Sequence, residues 1–462
     1  MKKFEAIIIG SGQGGTPLAK KLAQQGWQVA LIEKQYAGGT CVNVGCTPTK
    51  TMIASAKVAY TVTQAGKWGV EVPNFKLMLS RVLERKNEVV KSFRQGSEKG
   101  LKKTENLSFI MGEASFVDSK TILVALNDGS EETLTAGKIF INVGTRATIP
   151  DIAGLKEVDY LTSTSLMELE EVPEHLIILG GGYIGLELGQ MYRRFGSQVT
   201  ILEQGEKFLP REDEDIAAEV LSFLQAEEIE IISHALTTHV EKVGKNLKVS
   251  FQTGEEEKTI TGSHILVSAG RTPNTDTLNL PAARVEMDKR GYIKTNGKLE
   301  TSVAGIYAIG DVKGGPAFTH ISYNDFLILY YNLVEGKDES IQDRMVPYTM
   351  FTDPQLGRVG ITEKEARENN LNIRVATLPM AHVARAIETG DTRGLMKAIV
   401  DADTGKILGA AILGQEGGEV MSVLQMAMVG NITWHQIKDM IFAHPLYAES
   451  LNNLFMKLEN ES

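Results

Sequence analysis

One pattern of hydrophobic and polar positions occurs twice along the chain. An apolar run ends in closely spaced glycines, continues into a stretch with helical periodicity and finishes in a second apolar run. The two copies are FEAIIIGSGQGGTPLAKKLAQQGWQVALIEK, which begins at Phe4, and EHLIILGGGYIGLELGQMYRRFGSQVTILEQ, which begins at Glu174. Each copy predicts a strand, a glycine turn, a helix and a parallel strand, so the fold is expected to be α/β.

The glycines of the first copy have the spacing of a dinucleotide-binding turn. Gly10 would allow the tight turn, Gly12 would let a phosphate approach the backbone, and Gly15 would let the helix pack against the strand. Glu33 follows about 20 residues later, where its carboxylate can accept hydrogen bonds from a ribose. Because the helix N-terminus would face the pyrophosphate, this copy predicts a complete Rossmann-like site.

The second copy predicts a second dinucleotide. It repeats the arrangement with Gly180, Gly182, Gly185 and Glu203. A carboxylate at Glu203 accepts hydrogen bonds from a free ribose 2′-hydroxyl and repels a 2′-phosphate, which favours NADH over NADPH. NADPH stays an alternative because Lys207 and Arg211 follow closely. Without such a role, Glu203 would be a solvated carboxylate at a strand end.

Three further apolar runs end in glycine turns, around Gly144, Gly270 and Gly310–Asp311. In an open α/β sheet, turns at the carboxyl ends of strands lie where ligands bind. Their order relative to the two glycine fingerprints predicts that they close the two nucleotide sites. Taken singly, each of them would be an ordinary glycine turn in a loop after a strand.

The chain changes character from about Pro347 onward. The segments PYTMFTDPQLGRVGITEKEARE and MKAIVDADTGKILGAAILG predict strands, a helix and a hairpin without a further glycine fingerprint. The segment VMSVLQMAMVG has apolar residues at helical spacing, which we interpret as core or interface rather than as metal-binding methionines. This part is expected to form a separate α+β domain.

Composition restricts the partners. The 462 residues include 45 glycines, are 42% hydrophobic and carry a net charge of -10, and this length predicts roughly two to four domains. An acidic balance without a run of Lys and Arg argues against binding to nucleic acid or to an anionic membrane surface. No apolar run of about 18 residues predicts a membrane span. We therefore expect a cytoplasmic protein.

Both cysteines of the chain lie in one segment, GGTCVNVGCTPTK, as Cys41 and Cys46. We expect both at the start of one helix, and a helix N-terminus favours the thiolate form of a cysteine. In the cytoplasm such a pair is typically transient and catalytic. Two ordinary buried cysteines are the alternative, whereas a zinc site would need further Cys or His ligands that do not accompany the pair.

Several motifs in order resemble one known family. GGTCVNVGCTPTK follows the first fingerprint, and GGGYIGLE, AGRTPN, IGD and HPLYAE come after it. Together they resemble the class I pyridine nucleotide-disulfide oxidoreductases, which include dihydrolipoamide dehydrogenase, glutathione reductase and mercuric reductase. VPYTMFTDPQLGRVGITEKEA, DTRGLMKAIVD and HPLYAESLNNLF look most like the mercuric-reductase-like subgroup that contains the reactive-chlorine resistance flavoprotein.

The resemblance implies two Rossmann-like domains, a C-terminal α+β dimerisation domain and two cofactors. FAD would bind a domain made of residues 1–145 and 272–345, and NAD(P)H would bind residues 146–271. Residues 346–462 would form the dimerisation domain of a homodimer.

The resemblance also implies roles for single residues. Electrons would pass from NADH through the flavin to a Cys41–Cys46 disulfide, with Cys46 as the charge-transfer thiol and Cys41 as the interchange thiol. Lys50 and Glu187 would pair near flavin N5, where a cation stabilises charge on the reduced ring. Tyr183 matches an aromatic residue that some members swing aside for nicotinamide. Further cofactor contacts would come from Thr40, Gly144, Gly270 and Asp311.

HPLYAES carries His444 and Glu449 at the spacing of the family's acid/base histidine and its orienting carboxylate. The histidine would exchange a proton near neutral pH and reach the disulfide of the partner subunit. Leu446 and Ala448 stand where hydroxyl residues are usual in this motif. The way in which the motif meets a thiol substrate is therefore expected to differ from the family pattern.

The predicted activity is an FAD-dependent transfer of electrons from NAD(P)H to a disulfide, a dithiol or a related acceptor. The alternatives are an NADH-dependent reductase of metal ions such as Cu or Hg, and a flavoprotein that senses oxidants. No resident metal site is expected, and the lack of a second cysteine pair argues against efficient mercury handling.

Overall fold

The computed structural model describes residues 1–461, with side chains through residue 459. The first part of the chain contains strands β1 (Lys2–Ile9), β2 (Val29–Glu33), β3 (Leu107–Phe116), β4 (Thr121–Leu126), β5 (Glu131–Ile141) and β6 (Thr145–Ala147), and helices α1 (Gly15–Gln24), α2 (Gly39–Asn43), α3 (Cys46–Gln64) and α4 (Leu79–Lys102). β3, β2, β1 and β5 lie side by side and parallel. β4 is antiparallel to the outer ends of β3 and β5.

The middle of the chain builds a second parallel sheet. It contains β7 (Leu161–Thr162), β8 (His175–Leu179), β9 (Gln198–Leu202), β10 (Ile229–Ile232), β11 (Ala235–Val243), β12 (Asn246–Thr253), β13 (Glu256–Gly262), β14 (His264–Val267) and β15 (Arg271–Pro273), and helices α5 (Tyr183–Phe195) and α6 (Glu214–Ala226). The parallel order is β10, β9, β8, β14 and β7, whereas β11 to β13 form a separate antiparallel sheet. β15 pairs antiparallel with β6. β6 comes just before the elements of the second sheet and β15 just after them, so this pair marks where the chain enters and leaves that part of the fold.

The chain then returns to the first sheet. The returning elements are α7 (Leu280–Ala283), β16 (Ile306–Ala308) and α8 (Thr319–Val334). β16 pairs parallel with β5, at the edge of the first sheet. The first sheet is therefore assembled from two segments that are distant in sequence, with the second sheet inserted between them.

The last part forms an antiparallel sheet covered by helices. It contains β17 (Tyr348–Met350), β18 (Gln355–Gly360), β19 (Ile373–Pro379), β20 (Leu395–Asp401) and β21 (Ile407–Gly414), and helices α9 (Glu363–Glu368), α10 (Ala384–Glu388), α11 (Gly417–Val429), α12 (Trp434–Lys438) and α13 (Ser450–Met456). The strand order is β17, β18, β21, β20 and β19. Among residues 1–461, every helix is too short or too polar to span a lipid bilayer.

The two glycine turns have matching geometry. Gly10 and Gly180 have φ values of +101° and +108°, a region that side chains disfavour. A Cβ on Gly15 would lie 2.2 Å from the carbonyl oxygen of Gly10, and one on Gly185 would lie 2.3 Å from that of Gly180. Both copies therefore need glycine for the turn and for the close packing of the helix that follows.

The three larger sheets, which are the first sheet, the second parallel sheet and the C-terminal sheet, pack into one continuous body. One hydrophobic cluster joins Met52 of α3, Tyr192 of α5 and Leu413 of β21. An ion-pair network crosses the same junction, because Arg194 is 2.7 Å from carboxylate oxygens of both Glu227 and Asp353. Burial opposes ionisation of Asp353, yet the nearby Arg194 holds the pKa of that carboxyl below its usual value.

Breaking this network should destabilise the protein. Arg194 is 3% exposed, so we expect Arg194→Met to lower the free energy of unfolding by about 2 kcal/mol, because Glu227 and Asp353 would lose their shared cation and keep only Arg393 and Lys57 as cationic partners. Denaturant-induced unfolding measures the loss. Lys156→Met is the matched control, since its partner Asp151 is 97% exposed, and should change stability by less than about 0.5 kcal/mol. Equal losses in both variants would contradict a structural role for the buried network.

Candidate active site

A cavity of about 1040 Å³ lies between the first glycine turn, the cysteine segment, α5 and the C-terminal sheet. Its walls combine backbone of the glycine turn and of the strand ends after β5 with side chains from the other elements. The residues at these walls that the sequence predicted are Gly10, Gly12, Glu33, Thr40, Cys41, Cys46, Lys50, Gly144, Tyr183, Glu187 and Asp311. Residues from all three sheets therefore meet at one cavity.

The Glu33 carboxylate is fixed at the end of β2. One of its oxygens accepts hydrogen bonds from the Ser11 backbone N–H at 3.0 Å and the Ser11 hydroxyl at 2.7 Å, and the other accepts one from the backbone N–H of Gln35. A Cβ on Gly39 would lie 2.6 Å from the Cα of Gly12, so the cysteine segment packs directly on the glycine turn. The cavity, the turn and the oriented carboxylate fit a dinucleotide such as FAD.

The Glu203 carboxylate repeats this arrangement at the end of β9. Its oxygens accept hydrogen bonds from the backbone N–H groups of Gly181 at 2.6 Å and Gly205 at 2.7 Å. A Cβ on Gly182 would meet no atom within 4 Å, so the space above the turn is open to a phosphate. Lys207 is paired with Glu214, whereas Arg211 is exposed.

The later glycine turns lie beside these sites. Gly144 and Gly270 have φ values of +65° and +110°. Asp311 accepts a hydrogen bond from the Thr145 hydroxyl at 3.0 Å, which joins the strand ends after β5 and β16. Gly144 and Asp311 line the cavity, but Gly270 does not.

The cysteines lie on two helices rather than at the start of one. Cys41 belongs to the short helix α2, and Cys46 is the first residue of α3. Gly45 separates the helices with φ and ψ of -123° and -119°, and a Cβ there would lie 2.9 Å from the carbonyl oxygen of Thr40. The expectation of a single helix was therefore wrong, because the chain turns sharply at Gly45. Only Cys46 has the N-terminal position that favours a thiolate.

The two thiols have opposite pKa shifts. A hydrogen bond from the Cys41 thiol lowers the pKa of Cys46 to about 5 against the opposing effect of burial. The hydroxyl of Thr319, 3.5 Å from the Cys46 sulfur, and the nearby Lys50 cation act in the same direction. That same hydrogen bond, together with burial, raises the pKa of Cys41 well above its usual value. At neutral pH the reduced pair therefore holds one thiolate, on Cys46, and one proton, on Cys41.

A buried ion pair lies beside the thiolate. The Lys50 Nζ atom is 2.6 Å from a carboxylate oxygen of Glu187, whose side chain is only 8% exposed. The other Glu187 oxygen accepts a hydrogen bond from the Phe351 backbone N–H at 2.8 Å. Lys50 comes from α3, Glu187 from α5 and Phe351 from the position directly after β17. This contact fixes a cation at the cavity wall, where it can stabilise negative charge on a bound ring.

His444 and Glu449 contact each other but lie away from this cavity. His444 Nδ1 is 3.0 Å from a Glu449 oxygen, and the His444 side chain is 69% exposed. Within one chain, therefore, the pair does not meet Cys41. The arrangement orients an imidazole toward solvent, as a residue that acts on a second subunit would require.

Among the cavity residues that were not singled out from the sequence, four lie close to Cys46 or to one another: Thr319, Phe318, His320 and Tyr348. Phe318 stacks between the rings of His320 and Tyr348, with centroid distances of 5.3 and 5.5 Å. Phe318 to His320 stand at the start of α8, shortly after the glycine turn at Gly310. Their position shortly after the IGD motif was the signal in the sequence by which these residues could have been found. Across the described residues, no three His, Cys, Asp or Glu side chains are grouped as metal ligands.

Comparison with family models identifies this arrangement. The pyridine nucleotide-disulphide oxidoreductase model matches residues 4–325, and the dimerisation-domain model of the same name matches residues 346–455. The chain belongs to the pyridine nucleotide-disulfide oxidoreductase family. Members of this family are enzymes that use FAD and NAD(P)H, so the α/β fold, the family and the two kinds of cofactor expected from the sequence are confirmed.

Curated relatives cover nearly the whole chain. The probable pyridine nucleotide-disulfide oxidoreductase RclA of Escherichia coli (strain K12) is 39% identical over 98% of this chain and 99% of its own. A mercuric reductase of Staphylococcus aureus is 34% identical over 97% of this chain and 81% of its own. The dihydrolipoyl dehydrogenase of Bacillus subtilis (strain 168) is 35% identical, over 96% and 94%. These relatives agree with the subgroup that the motifs indicated.

Solved structures give the same result. The Cu(II) complex of the HOCl-induced flavoprotein disulfide reductase RclA from Escherichia coli superimposes with a TM-score of 0.90. It is 38% identical to this chain, and the match covers 99% of this chain and 100% of that one. A second RclA structure, described without copper, has a TM-score of 0.89 and covers 98% and 99%.

The hydroxyl of Thr319 should help to hold the Cys46 thiolate. In the reduced, FAD-loaded protein, the long-wavelength charge-transfer absorbance should be present above pH 5 and fade as the pH falls through about 5. Thr319→Val removes a hydrogen bond to the charged form, so the midpoint should move upward by about one pH unit. Thr319→Ser keeps the hydroxyl and should titrate like the unchanged protein. Identical midpoints in the Val and Ser variants would exclude this role.

Proposed function

We propose that this chain is an NADH-dependent flavoenzyme that reduces a disulfide or a related acceptor through the Cys41–Cys46 pair. The observation that carries the proposal is the pair itself, with a Cys46 thiolate and a protonated Cys41 in the cavity beside the Lys50–Glu187 ion pair. Two adjacent thiols with different protonation states can reduce a disulfide and resolve the product, which a single thiol cannot do.

The reaction on the chain's own residues balances with one disulfide as acceptor. The Cys41 sulfur, once deprotonated, attacks one acceptor sulfur, so a mixed disulfide forms and one acceptor thiolate leaves. The Cys46 thiolate then attacks the Cys41 sulfur and releases the second acceptor thiolate. The acceptor gains two electrons, the two leaving groups take up protons, and the enzyme is left with a Cys41–Cys46 disulfide. FAD, when bound, supplies the two-electron relay from the pyridine nucleotide that reduces this disulfide again.

Cys41 needs a base because burial and its hydrogen bond to Cys46 keep it protonated. Within one chain, His444 is exposed and oriented by Glu449 but is remote from the cavity wall. We propose that His444 of the partner subunit takes this proton and returns it to the leaving thiolate. The exposed apolar side chains of Met426, Val429 and Ile441 fit burial in a homodimer.

We propose that residues 1–145 and 272–345 hold FAD, that residues 146–271 hold the pyridine nucleotide, and that residues 346–462 dimerise in a cytoplasmic enzyme. The three sheets support this division. NADH is the proposed donor because Glu203 is fixed at the ribose position and Lys207 is engaged by Glu214. Substituting Glu203→Arg should shift the ratio of NADH to NADPH turnover toward NADPH, and an unchanged ratio would refute this assignment.

Reduction of Cu(II) is a second candidate function. A similar protein, 38% identical, has been solved as a Cu(II) complex, and the sulfurs of Cys41 and Cys46 are soft ligands suited to the Cu(I) product. One NADH would reduce two Cu(II) ions and release one proton. An oxidant sensor remains the competing class, and it would stop after one reduction of the cysteine pair.

An acceptor panel tests the proposal. NADH oxidation is followed with a small disulfide, lipoamide, a quinone and Cu(II) under anaerobic conditions. We expect many turnovers per FAD with at least the disulfide or Cu(II). A single turnover with every acceptor would favour the sensor, and a purified protein without flavin would refute the flavoenzyme.

Replacing each cysteine by serine should change the absorbance spectrum of the protein in a different way. In Cys41→Ser, the Cys46 thiolate remains and should give a charge-transfer absorbance with oxidised FAD that is lost on acidification. In Cys46→Ser, this absorbance should be absent. Both variants should lose disulfide reduction and keep diaphorase activity with one-electron acceptors. The opposite pattern of absorbance would reverse the two roles, and full disulfide turnover in either variant would exclude this pair as the catalytic centre.

His444 should be needed for the reduction of disulfides but not for the reduction of the flavin by NADH. His444→Ala should slow reduction of disulfides by roughly 100-fold or more, because a general acid/base is lost. Rapid-mixing absorbance should show unchanged flavin reduction by NADH. His435→Ala is a suitable control, since His435 belongs to the same domain and packs on Trp434. Full turnover in the His444 variant would remove this residue from the mechanism.

A further inference from the structure

His444 lies in a loop rather than on a helix or a strand. The loop comprises residues 439–449, between α12 and α13. The side chains of Ile441, His444 and Leu446 in this loop are exposed. A general acid/base has to be held within reach of the proton that it transfers, and a misplacement of about 1 Å can cost roughly 100-fold in rate. The contacts that fasten the loop to the rest of the C-terminal domain therefore bear on what His444 can do.

The start of the loop is fastened by Asn452, which lies on α13. Its side-chain amide nitrogen is within hydrogen-bond distance of three backbone carbonyl oxygens, at 2.8, 2.9 and 3.1 Å: those of Ile437, Lys438 and Met440. Carbonyl groups at the end of a helix have no partner within that helix, and here the Asn452 amide supplies one. Asn452 thus binds the end of α12 and the beginning of the loop to the helix that follows the loop.

The end of the loop is fastened by Tyr447. Its hydroxyl donates a hydrogen bond to Oε1 of Gln415 at 2.6 Å and lies 2.6 Å from the Thr389 hydroxyl. A hydroxyl donates one hydrogen bond and accepts others, so it can bind both partners at once. Gln415 directly follows β21, and Thr389 directly follows α10. The rings of Tyr447 and Phe442 also pack against the hydrophobic core of the C-terminal domain.

We propose that Asn452 and Tyr447 are positioning residues, which hold the two ends of this loop so that the His444 imidazole stays at one position on the C-terminal domain. Within the described chain, theirs are the side-chain hydrogen bonds that connect residues 440–448 with other elements. The contact between His444 and Glu449 lies inside the loop, so it orients the ring but does not fix the loop to the fold. This inference rests on the role proposed above for His444.

The test is the turnover number of the FAD-loaded protein with NADH and lipoamide, a small cyclic disulfide. Tyr447→Phe keeps the ring and removes both hydrogen bonds of the hydroxyl, so turnover should fall about fivefold. Asn452→Ala should lower it by a similar factor. Flavin reduction by NADH, followed by rapid mixing, should be unchanged in both variants. Asn453→Ala is the matched control, because Asn453 is adjacent and exposed, and it should turn over like the unchanged protein.

Two further comparisons separate positioning from a general loss of structure. Thr389→Val removes a partner of the Tyr447 hydroxyl and should lower turnover, whereas Thr389→Ser keeps a hydroxyl and should restore it. In a His444→Ala background, Tyr447→Phe should cause no further loss, because no imidazole remains to be positioned. Sedimentation should show that Tyr447→Phe has the same oligomeric state as the unchanged protein.

The outcomes distinguish this inference from the proposed function. A further loss in the double variant, or dissociation of the Tyr447→Phe protein, would assign Tyr447 a general structural role and overturn the inference. Unchanged turnover in Tyr447→Phe or in Asn452→Ala would overturn the role of that residue, while the role of His444 stands. Full turnover in His444→Ala, or no lipoamide reduction by the unchanged protein, would overturn the proposed function and this inference with it. If Asn452→Ala does not fold, the Tyr447 and Thr389 variants still decide.

Discussion

The coupling between Cys41 and Cys46 is the interaction on which the site depends. It requires two helices that meet at Gly45, because a continuous helix would place residues five apart on different faces. The same contact stores the proton on Cys41 and the negative charge on Cys46. One bend in the backbone thus gives two identical side chains different protonation states at neutral pH.

Local pattern was enough to predict the two strand–glycine turn–helix–strand units. The positive φ of Gly10 and Gly180 and the strand-end positions of Glu33 and Glu203 follow from short stretches of sequence, since turn, strand and helix are adjacent in each copy. The return of β16 to the first sheet was reached only through the family resemblance, because nothing local encodes pairing between β5 and a strand some 165 residues later.

The contacts that adjust the site could not be predicted from the sequence. Thr319 reaches Cys46 across 273 positions, and Tyr348 reaches Glu212 across 136. Such pairs arise when sheets pack, and nothing in the local sequence of either partner indicates which residue it will meet. The expectation for the cysteines failed for a related reason: the separation of α2 from α3 reflects the close approach of Gly45 to Thr40, which helical character alone does not reveal.

The two buried carboxylates of the second sheet have a common arrangement. Glu187 pairs with Lys50 and accepts a hydrogen bond from the Phe351 backbone, and Glu212 accepts one from Tyr348 while facing Arg358. Each therefore binds a neighbouring part of the chain, and Glu187 also lines the cavity. Changes at either carboxylate should therefore alter how the C-terminal sheet docks on α5 and on the segment before α6. The Cys46–Thr319 contact joins α3 to α8, outside the second sheet, whereas the Lys50 and Glu187 charges both act on the pKa of Cys46 and so link thiolate formation to α5.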